Sequence, residues 1–301
     1  MRSSIATATF RRSSILALAL CALGTPAWAA KPNCADGNTV SRKGNVGALD
    51  VVGLTSDGRL VCFKDRSANK AKEIGTISGL QGADTSIVGI DFRVQDGLLY
   101  GVGNGGGVYT LDTTTAAATL VNQLSMPLTP GVNFGVDFNP AADRLRIVSD
   151  AGLNLRHNVN AGGVTLKDGD LNYAAGVTAN GVSGSAYVNN DLDPNTGTTL
   201  FDIDADGAPE VDQVVIQSPP NGGSLVATGK LGVDADPSVG FDVFSALVGG
   251  TTVSNLGYAA ISVGGAAGFY RVNLLTGAAT LVDLFAEPVV DIAIPLVTAP
   301  V

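Results

Sequence analysis

From Leu49 onward the chain is written as short runs of Val, Ile, Leu, Phe, Tyr and Thr broken by Gly, Asp, Asn and Pro. Such runs, rich in β-branched and aromatic residues and bounded by turn formers, predict strands rather than helices. The runs also repeat. Ile87-Val88-Gly89-Ile90-Asp91-Phe92, Asn133-Phe134-Gly135-Val136-Asp137-Phe138 and Ser238-Val239-Gly240-Phe241-Asp242-Val243 are one apolar–Asp pattern written three times. Residues 98–102, 107–112 and 117–121 follow the first, and residues 258–263, 268–272 and 278–282 follow the third. Both series end on the same five letters, Ala-Ala-Thr-Leu-Val. Each unit therefore predicts four strands in a meander. The second unit continues through residues 144–149, 154–159 and 164–167, and a divergent unit runs through 182–187, 199–202, 212–217 and 224–228.

The two ends complete the series. Residues 49–55, 59–63 and 73–77 supply the later strands of a unit without an opening strand, and Val289-Val290-Asp291-Ile292-Ala293-Ile294 is an opening strand without successors. Joined, they form a fifth unit and close a ring, pairing edges that would otherwise lie open. A solenoid would want atypical caps in place of complementary half-repeats. The expected fold is all-β: a β-propeller of five four-stranded blades, the last shared between N- and C-terminal strands. It occupies one domain, residues 46–301, with 30–45 as a lead-in segment. Six blades, if the long fourth unit conceals another, and paired β-sandwiches are the alternatives.

The N-terminus departs from this pattern. Arg2, Arg11 and Arg12 precede an apolar stretch over residues 15–23, followed by Pro26 and the small-residue box Ala27-Trp28-Ala29. That layout predicts a signal peptide over residues 1–29, cleaved after Ala29 on the general secretory route, and a periplasmic or secreted protein. The stretch is far shorter than the roughly 20 residues a spanning helix needs, so no membrane span is expected after cleavage. Cys21 follows Leu20 where lipoprotein processing wants a small residue, which argues against lipidation.

Composition sharpens this reading. Loss of residues 1–29 removes three Arg and no acid, taking the formal charge from −9 to −12. An acidic chain disfavours nucleic acid as a partner, because that binding rests on Lys and Arg neutralising phosphates. Apolar residues make up 45% and charged ones 15%, enough for a core and against disorder. Cys34 and Cys62 remain and are expected to pair in an oxidising compartment. The loop they close would make the bridge worth roughly 3–4 kcal/mol in the chain-entropy model.

Candidate chemistry is sparse. Asp91, Asp137, Asp242 and Asp291 share one position in four units, with Ala186 in the fifth. If opening strands lie innermost, these carboxylates circle the axis. They either draw a cation or sugar into the channel or, the preferred reading, accept backbone hydrogen bonds from the adjacent blade. Arg144, Arg146 and Arg156, with His157 and Lys167, make the third unit the basic patch. Strand alternation puts Arg144 and Arg146 on one face. There they either clamp an anionic ligand or, the preferred reading, pair with Asp137, Asp143 or Asp150 to knit blades. Asp202, Asp204 and Asp206, followed by Gly207 and Glu210, resemble the start of a calcium loop, although Gln213 stands where an EF-hand wants Glu. Residues 191–197 have similar oxygen spacing, and tight turns explain both stretches equally. Calcium is the one cofactor these residues suggest. His157 is the sole histidine, so one chain cannot build a multi-histidine metal site. No nucleophile elbow, Walker loop or dinucleotide fingerprint stands in a suitable context.

At these motifs the chain resembles a family of exported bacterial proteins known only as a domain of unknown function, whose members look like β-propellers. The resemblance is carried by residues 88–93 with 99–103, by Gly135-Val136-Asp137-Phe138-Asn139-Pro140 with Asp143-Arg144-Leu145-Arg146-Ile147-Val148-Ser149-Asp150 and Asn154-Leu155-Arg156, and by residues 199–204 with Pro219-Pro220-Asn221-Gly222-Gly223. It implies export and fold, and carries no activity, substrate or catalytic residues.

The sequence therefore favours an exported, non-catalytic β-propeller that binds a protein, small-molecule or glycan ligand. An enzyme of hydrolase, lyase or lactonase type, with carboxylates and a metal at the channel mouth, and a calcium-stabilised adhesion or matrix protein are the alternatives, since propellers host all three.

Overall fold

Turn residues between the apolar runs reverse the chain at short intervals, so successive strands pair as antiparallel hairpins. The computed structural model describes residues 1, 34, 37–205 and 212–297; the signal-peptide expectation lies outside them. The first strands are β1 (Asp50–Thr55), β2 (Arg59–Lys64) and β3 (Lys72–Thr76). A second group is β4 (Ile87–Phe92), β5 (Leu99–Gly103), β6 (Gly107–Leu111) and β7 (Ala118–Gln123). A third is β8 (Phe134–Asn139), β9 (Arg144–Ser149), β10 (Asn154–His157) and β11 (Thr165–Lys167), followed by a small hairpin, β12 (Asn172–Ala174) and β13 (Val177–Thr178). The fourth is β14 (Val182–Tyr187), β15 (Leu200–Asp204), β16 (Gln213–Gln217) and β17 (Leu225–Lys230). The fifth is β18 (Val239–Val248), β19 (Thr251–Val263), β20 (Ala266–Val272) and β21 (Ala279–Leu284), and the chain returns in β22 (Val289–Ala293).

These strands make five four-stranded sheets, each a meander, and the first has the order β22-β1-β2-β3. The shared blade is thus real: β22 pairs antiparallel with β1, setting Ile292 opposite Gly53 and Asp291 opposite Leu54. The opening strands β22, β4, β8, β14 and β18 each touch the next around a closed circuit. The fold is a five-bladed β-propeller. No sixth four-stranded sheet occurs among the described residues. The additional length before the fourth blade forms β12 and β13, and that within it forms the loop 188–199.

Blades pack face to face on apolar seams. Val52, Leu54 and Ile74 meet Ile90, Phe92 and Leu111 between the first and second blades. Tyr100 and Val102 meet Phe138, Leu145 and Ile147 between the second and third. Ile203 and Val214 meet Phe241 and Ile261 between the fourth and fifth. Phe244 and Phe269 meet Val51, Phe63 and Ile292 where the ring closes. At about 1.5–3 kcal/mol for each large apolar side chain fully removed from water, these seams dominate the favourable side of folding. The seam between the third and fourth blades differs, holding only a small cluster built on Val148, Leu171, Val182, Val215 and Leu225.

The lead-in segment is tied to both chain ends. Cys34 forms a disulfide with Cys62 of β2, with Cα atoms 6.1 Å apart. The Asn38 side chain donates to the carbonyls of Pro295 at 2.8 Å and Asp50 at 3.2 Å, and its oxygen accepts from the Asp50 N–H at 2.7 Å. Beyond a lead-in, then, the segment staples the closing strands together. Reduction is expected to cost about 2–5 kcal/mol, read as a lower denaturation midpoint with reductant than without it. An unchanged midpoint would show that the hydrogen bonds of Asn38 suffice.

Candidate functional site

The four repeated aspartates are buried and sit on the inner strands, as their spacing predicts. Each bridges two blades. Asp91 accepts the Phe138 N–H at 2.7 Å, Asp137 the Tyr187 N–H at 3.0 Å, Asp242 the Ile294 N–H at 2.6 Å and Asp291 the Ile90 N–H at 2.8 Å, in every case from the following blade. Asp91, Asp242 and Asp291 spend their other oxygen on the N–H of their own next residue. Two residues before Asp137 and Asp242 stand Gly135 and Gly240. A Cβ on Gly240 would lie 2.3 Å from the Asp291 Cα, and one on Gly135 would lie 2.8 Å from the Ser185 backbone nitrogen. Gly-x-Asp is therefore a packing unit: glycine lets inner strands converge at the axis, and aspartate satisfies the edge N–H of the neighbour. Carboxylate oxygens of Asp91, Asp137 and Asp242 come within 4.8 Å of one another. All those of Asp91 and Asp242 already accept backbone hydrogen bonds.

Burial keeps these acids protonated well above the usual carboxylate range. Asp91, Asp137 and Asp291 are pushed up strongly by desolvation, reinforced by neighbouring carboxylates. Desolvation raises Asp242 to about 6 and Asp202 to about 7. Between about pH 4 and these values the folded state holds protons that the unfolded chain has released, so stability falls as pH rises. The contribution is full below the unfolded carboxylate range and is lost through pH 6–7 and above. His157 acts oppositely: burial, then the charge of Arg144, lowers it to about 4, so its contribution is lost on acidification. Five carboxyls outweigh one imidazole, and the melting temperature is expected to be higher near pH 5 than at pH 8. A flat or rising profile over that interval would contradict this account.

The seam between the third and fourth blades carries the polar chemistry. On β8, β9 and β10 the register sets Asp137 opposite Arg146, Asn139 opposite Arg144, and Arg146 opposite Arg156. Their alternates, Leu145, Ile147, Leu155 and His157, point to the second blade, so one face of this sheet is apolar and the other polar. Arg146 is 3% exposed. It donates to the Asp168 carboxylate at 2.7 Å and to the side-chain Oδ1 atoms of Asn154 at 2.6 Å and Asn221 at 2.8 Å. Arg156, half-buried, donates through Nε to the other oxygen of Asp168 at 3.0 Å. Among the described residues, Arg144 donates only to the backbone carbonyls of Ala142 and Asp143. The ion pairs expected with Asp137, Asp143 or Asp150 are replaced by Asp168 of the same blade. Asp143 is instead taken by Arg93 of the second blade through two bonds at 2.7 and 2.6 Å, and Asp150 caps the N–H groups of Val132 and Asn133.

Together, Arg144, Arg146, Arg156, Asn139, Tyr187 and the Pro219-Pro220-Asn221 turn enclose a pocket of about 240 Å³. Asp168, Tyr187 and the pairing of Asn154 and Asn221 around Arg146 were not singled out from sequence. Asn154 and Asn221 stood within the quoted motifs, whereas nothing in the spacing marks Asp168. A larger cleft of about 660 Å³ lies between the fourth and fifth blades, walled mainly by Val188, Phe201, Leu256, Leu274 and Leu275. Thr199, Asn255, Arg271, Asn273 and Thr280 also line it.

The remaining candidates are engaged elsewhere. Asp202 and Asp204 lie on β15, where Asp202 accepts from the Ser185 hydroxyl at 2.7 Å and Asp204 from the Tyr173 hydroxyl. Asp206 and Glu210 fall outside the described residues. In the stretch 191–197, Asp191 accepts from the N–H and hydroxyl of Thr252, and Asp193 from the Thr251 hydroxyl, holding the loop to the extended β18–β19 hairpin. His157 is buried, with its ring nitrogens 2.9 Å from Asn122 Oδ1 and 3.0 Å from Thr165 Oγ1.

No curated protein matches this chain. Among solved structures, a glutaminyl cyclase from Myxococcus xanthus is 13% identical over 69% of each chain, with a TM-score of 0.38. An auxiliary nutrient-binding protein from Bacteroides ovatus is 15% identical over 59% of this chain and 46% of its own, with a TM-score of 0.36. A protein from Lactobacillus plantarum is 13% identical over 82% of this chain and 99% of its own, with a TM-score of 0.38. The fold assignment rests on the strand pairing described above. From β2 to β22, polar seam included, residues 59–293 match the family model described as Domain of unknown function (DUF4394), and the chain belongs to that family.

Proposed function

We propose that the protein is an exported, non-catalytic binding propeller whose ligand site is the polar pocket between its third and fourth blades. One observation carries this reading. The other four seams carry large apolar clusters, whereas this one holds only a small cluster and gathers three arginines, Arg146 among them 3% exposed, around a cavity. Burying a charge is costly relative to apolar packing, so stability alone does not account for Arg146 and its companions in this seam. The aspartates once suited to axial chemistry are occupied in clamping blades, and His157 is enclosed between Asn122 and Thr165. Export is supported by the N-terminal pattern and the disulfide. Among the described residues, no helix is long and apolar enough to cross a membrane.

The test is a thermal-shift screen of amino acids, saccharides and organic acids on the exported protein and on Ala142→Trp, which plugs the pocket from its exposed rim. A ligand that raises the melting temperature of the natural protein and not of the plugged variant supports the site. Ligands indifferent to the plug, or turnover of a substrate, would overturn it.

A further inference from the structure

We infer that this pocket takes a compact dianion, a phosphate or sulfate group or a pair of adjacent carboxylates; the inference rests on the binding role proposed above and names its ligand class. Charge points there first. Arg144, Arg146 and Arg156 converge on the pocket, and Asp168 is the one carboxylate in ion pairs with them among the described residues. Asp143, beside Arg144 in sequence, is turned to the guanidinium of Arg93, which it shares with Asp96. The buried acids behind Arg146, Asp137 and Asp202, are held towards their neutral forms by desolvation. Three guanidinium groups against one carboxylate leave two positive charges for a ligand to meet.

Donor geometry points the same way. Among the described residues, Arg156 spends only Nε, and Arg144 only Nη1 on backbone carbonyls. The terminal nitrogens of Arg156 and the Nε and Nη2 of Arg144 retain N–H groups for planar, two-point contact with an oxyanion, the geometry for which guanidinium is suited. Arg146 is locked by Asp168, Asn154 and Asn221 and supplies a fixed charge rather than a mobile arm. A volume of about 240 Å³ is below the roughly 300–1,000 Å³ of sites for drug-sized ligands, so it suits a small ligand, an anionic group with a short organic part. Pro219 and Pro220 offer a rigid wall for whatever short organic part it carries.

The experiment is isothermal titration of the exported protein with inorganic phosphate, sulfate and malonate, against acetate and chloride at constant ionic strength. Saturable binding of a dianion, with acetate and chloride much weaker, is the expected result. Phosphate and sulfate report a tetrahedral head group, malonate a dicarboxylate. Arg156→Gln and Arg144→Gln are each expected to weaken binding about tenfold or more, as loss of a charged hydrogen-bond partner does. Both side chains reach solvent, so folding is retained, and Arg66→Gln, outside the pocket, leaves affinity unchanged. Absence of saturable binding of all three dianions up to about 10 mM, or binding unaffected by either substitution, would overturn the inference. A neutral ligand blocked by Ala142→Trp, with no dianion bound, would leave the binding role standing and remove only the dianion.

Discussion

Replacing Arg146 with Met is expected to destabilise the protein by about 3–5 kcal/mol, seen as a lower midpoint in chemical denaturation. The side chains of Arg146 and Asp168 are only 4% and 5% exposed, so the variant leaves a buried carboxylate without its main partner. Asn154 and Asn221 lose a donor at the same time. The informative companion is Arg146→Met with Asp168→Leu. Removing both charges and filling the space with apolar groups is often neutral or stabilising by about 1–4 kcal/mol. The double variant is therefore expected to recover most of the lost stability, and its pocket keeps Arg144 and Arg156, the groups that meet an anion. A double variant as unstable as the single one would show instead that the network is needed to hold the third and fourth blades together.

Substitution of Gly240 by Val is the second large effect, an expected loss of about 1–3 kcal/mol or more from overpacking. Its Cβ would lie 2.3 Å from the Asp291 Cα and 2.8 Å from the Val290 carbonyl oxygen, so backbone of the closing strand must move. Asp242, two residues on, would then be drawn away from the Ile294 N–H that it now accepts at 2.6 Å. Gly197→Ala provides the contrast: nothing lies within 4 Å of the position a Cβ would take, and its φ is not in the left-handed region. Its midpoint should match the natural protein. Equal tolerance at both glycines, measured by thermal denaturation, would show that inner strands at the axis separate without cost.

Much of this architecture was legible beforehand because it repeats. Ala-Ala-Thr-Leu-Val at residues 117–121 and 278–282 places the outer strands β7 and β21, and the apolar–Asp pattern places β4, β8 and β18. The half-repeats at the two ends implied the pairing of β22 with β1. Local alternation also assigned Arg144 and Arg146 to one face, since side-chain direction in a strand follows from position alone. The repeated Asp left two roles open, a channel ligand and a backbone clamp, and the clamp was preferred because a shared backbone need at each blade junction selects one acceptor at one register.

Partnership was the part that sequence left open. By itself the chain determined its strands, their meander, the shared blade and the axial clamps, all of which depend on short-range periodicity repeated along the chain. Tertiary structure alone decided that Asp168, rather than Asp137, Asp143 or Asp150, answers Arg146, and that Arg93 takes Asp143 from the neighbouring blade. It also decided that Asn154, Tyr187 and Asn221 meet around that guanidinium. The reason is physical: an ion pair forms where two side-chain tips converge, and convergence across blades depends on the twist and spacing of whole sheets, which no local pattern encodes.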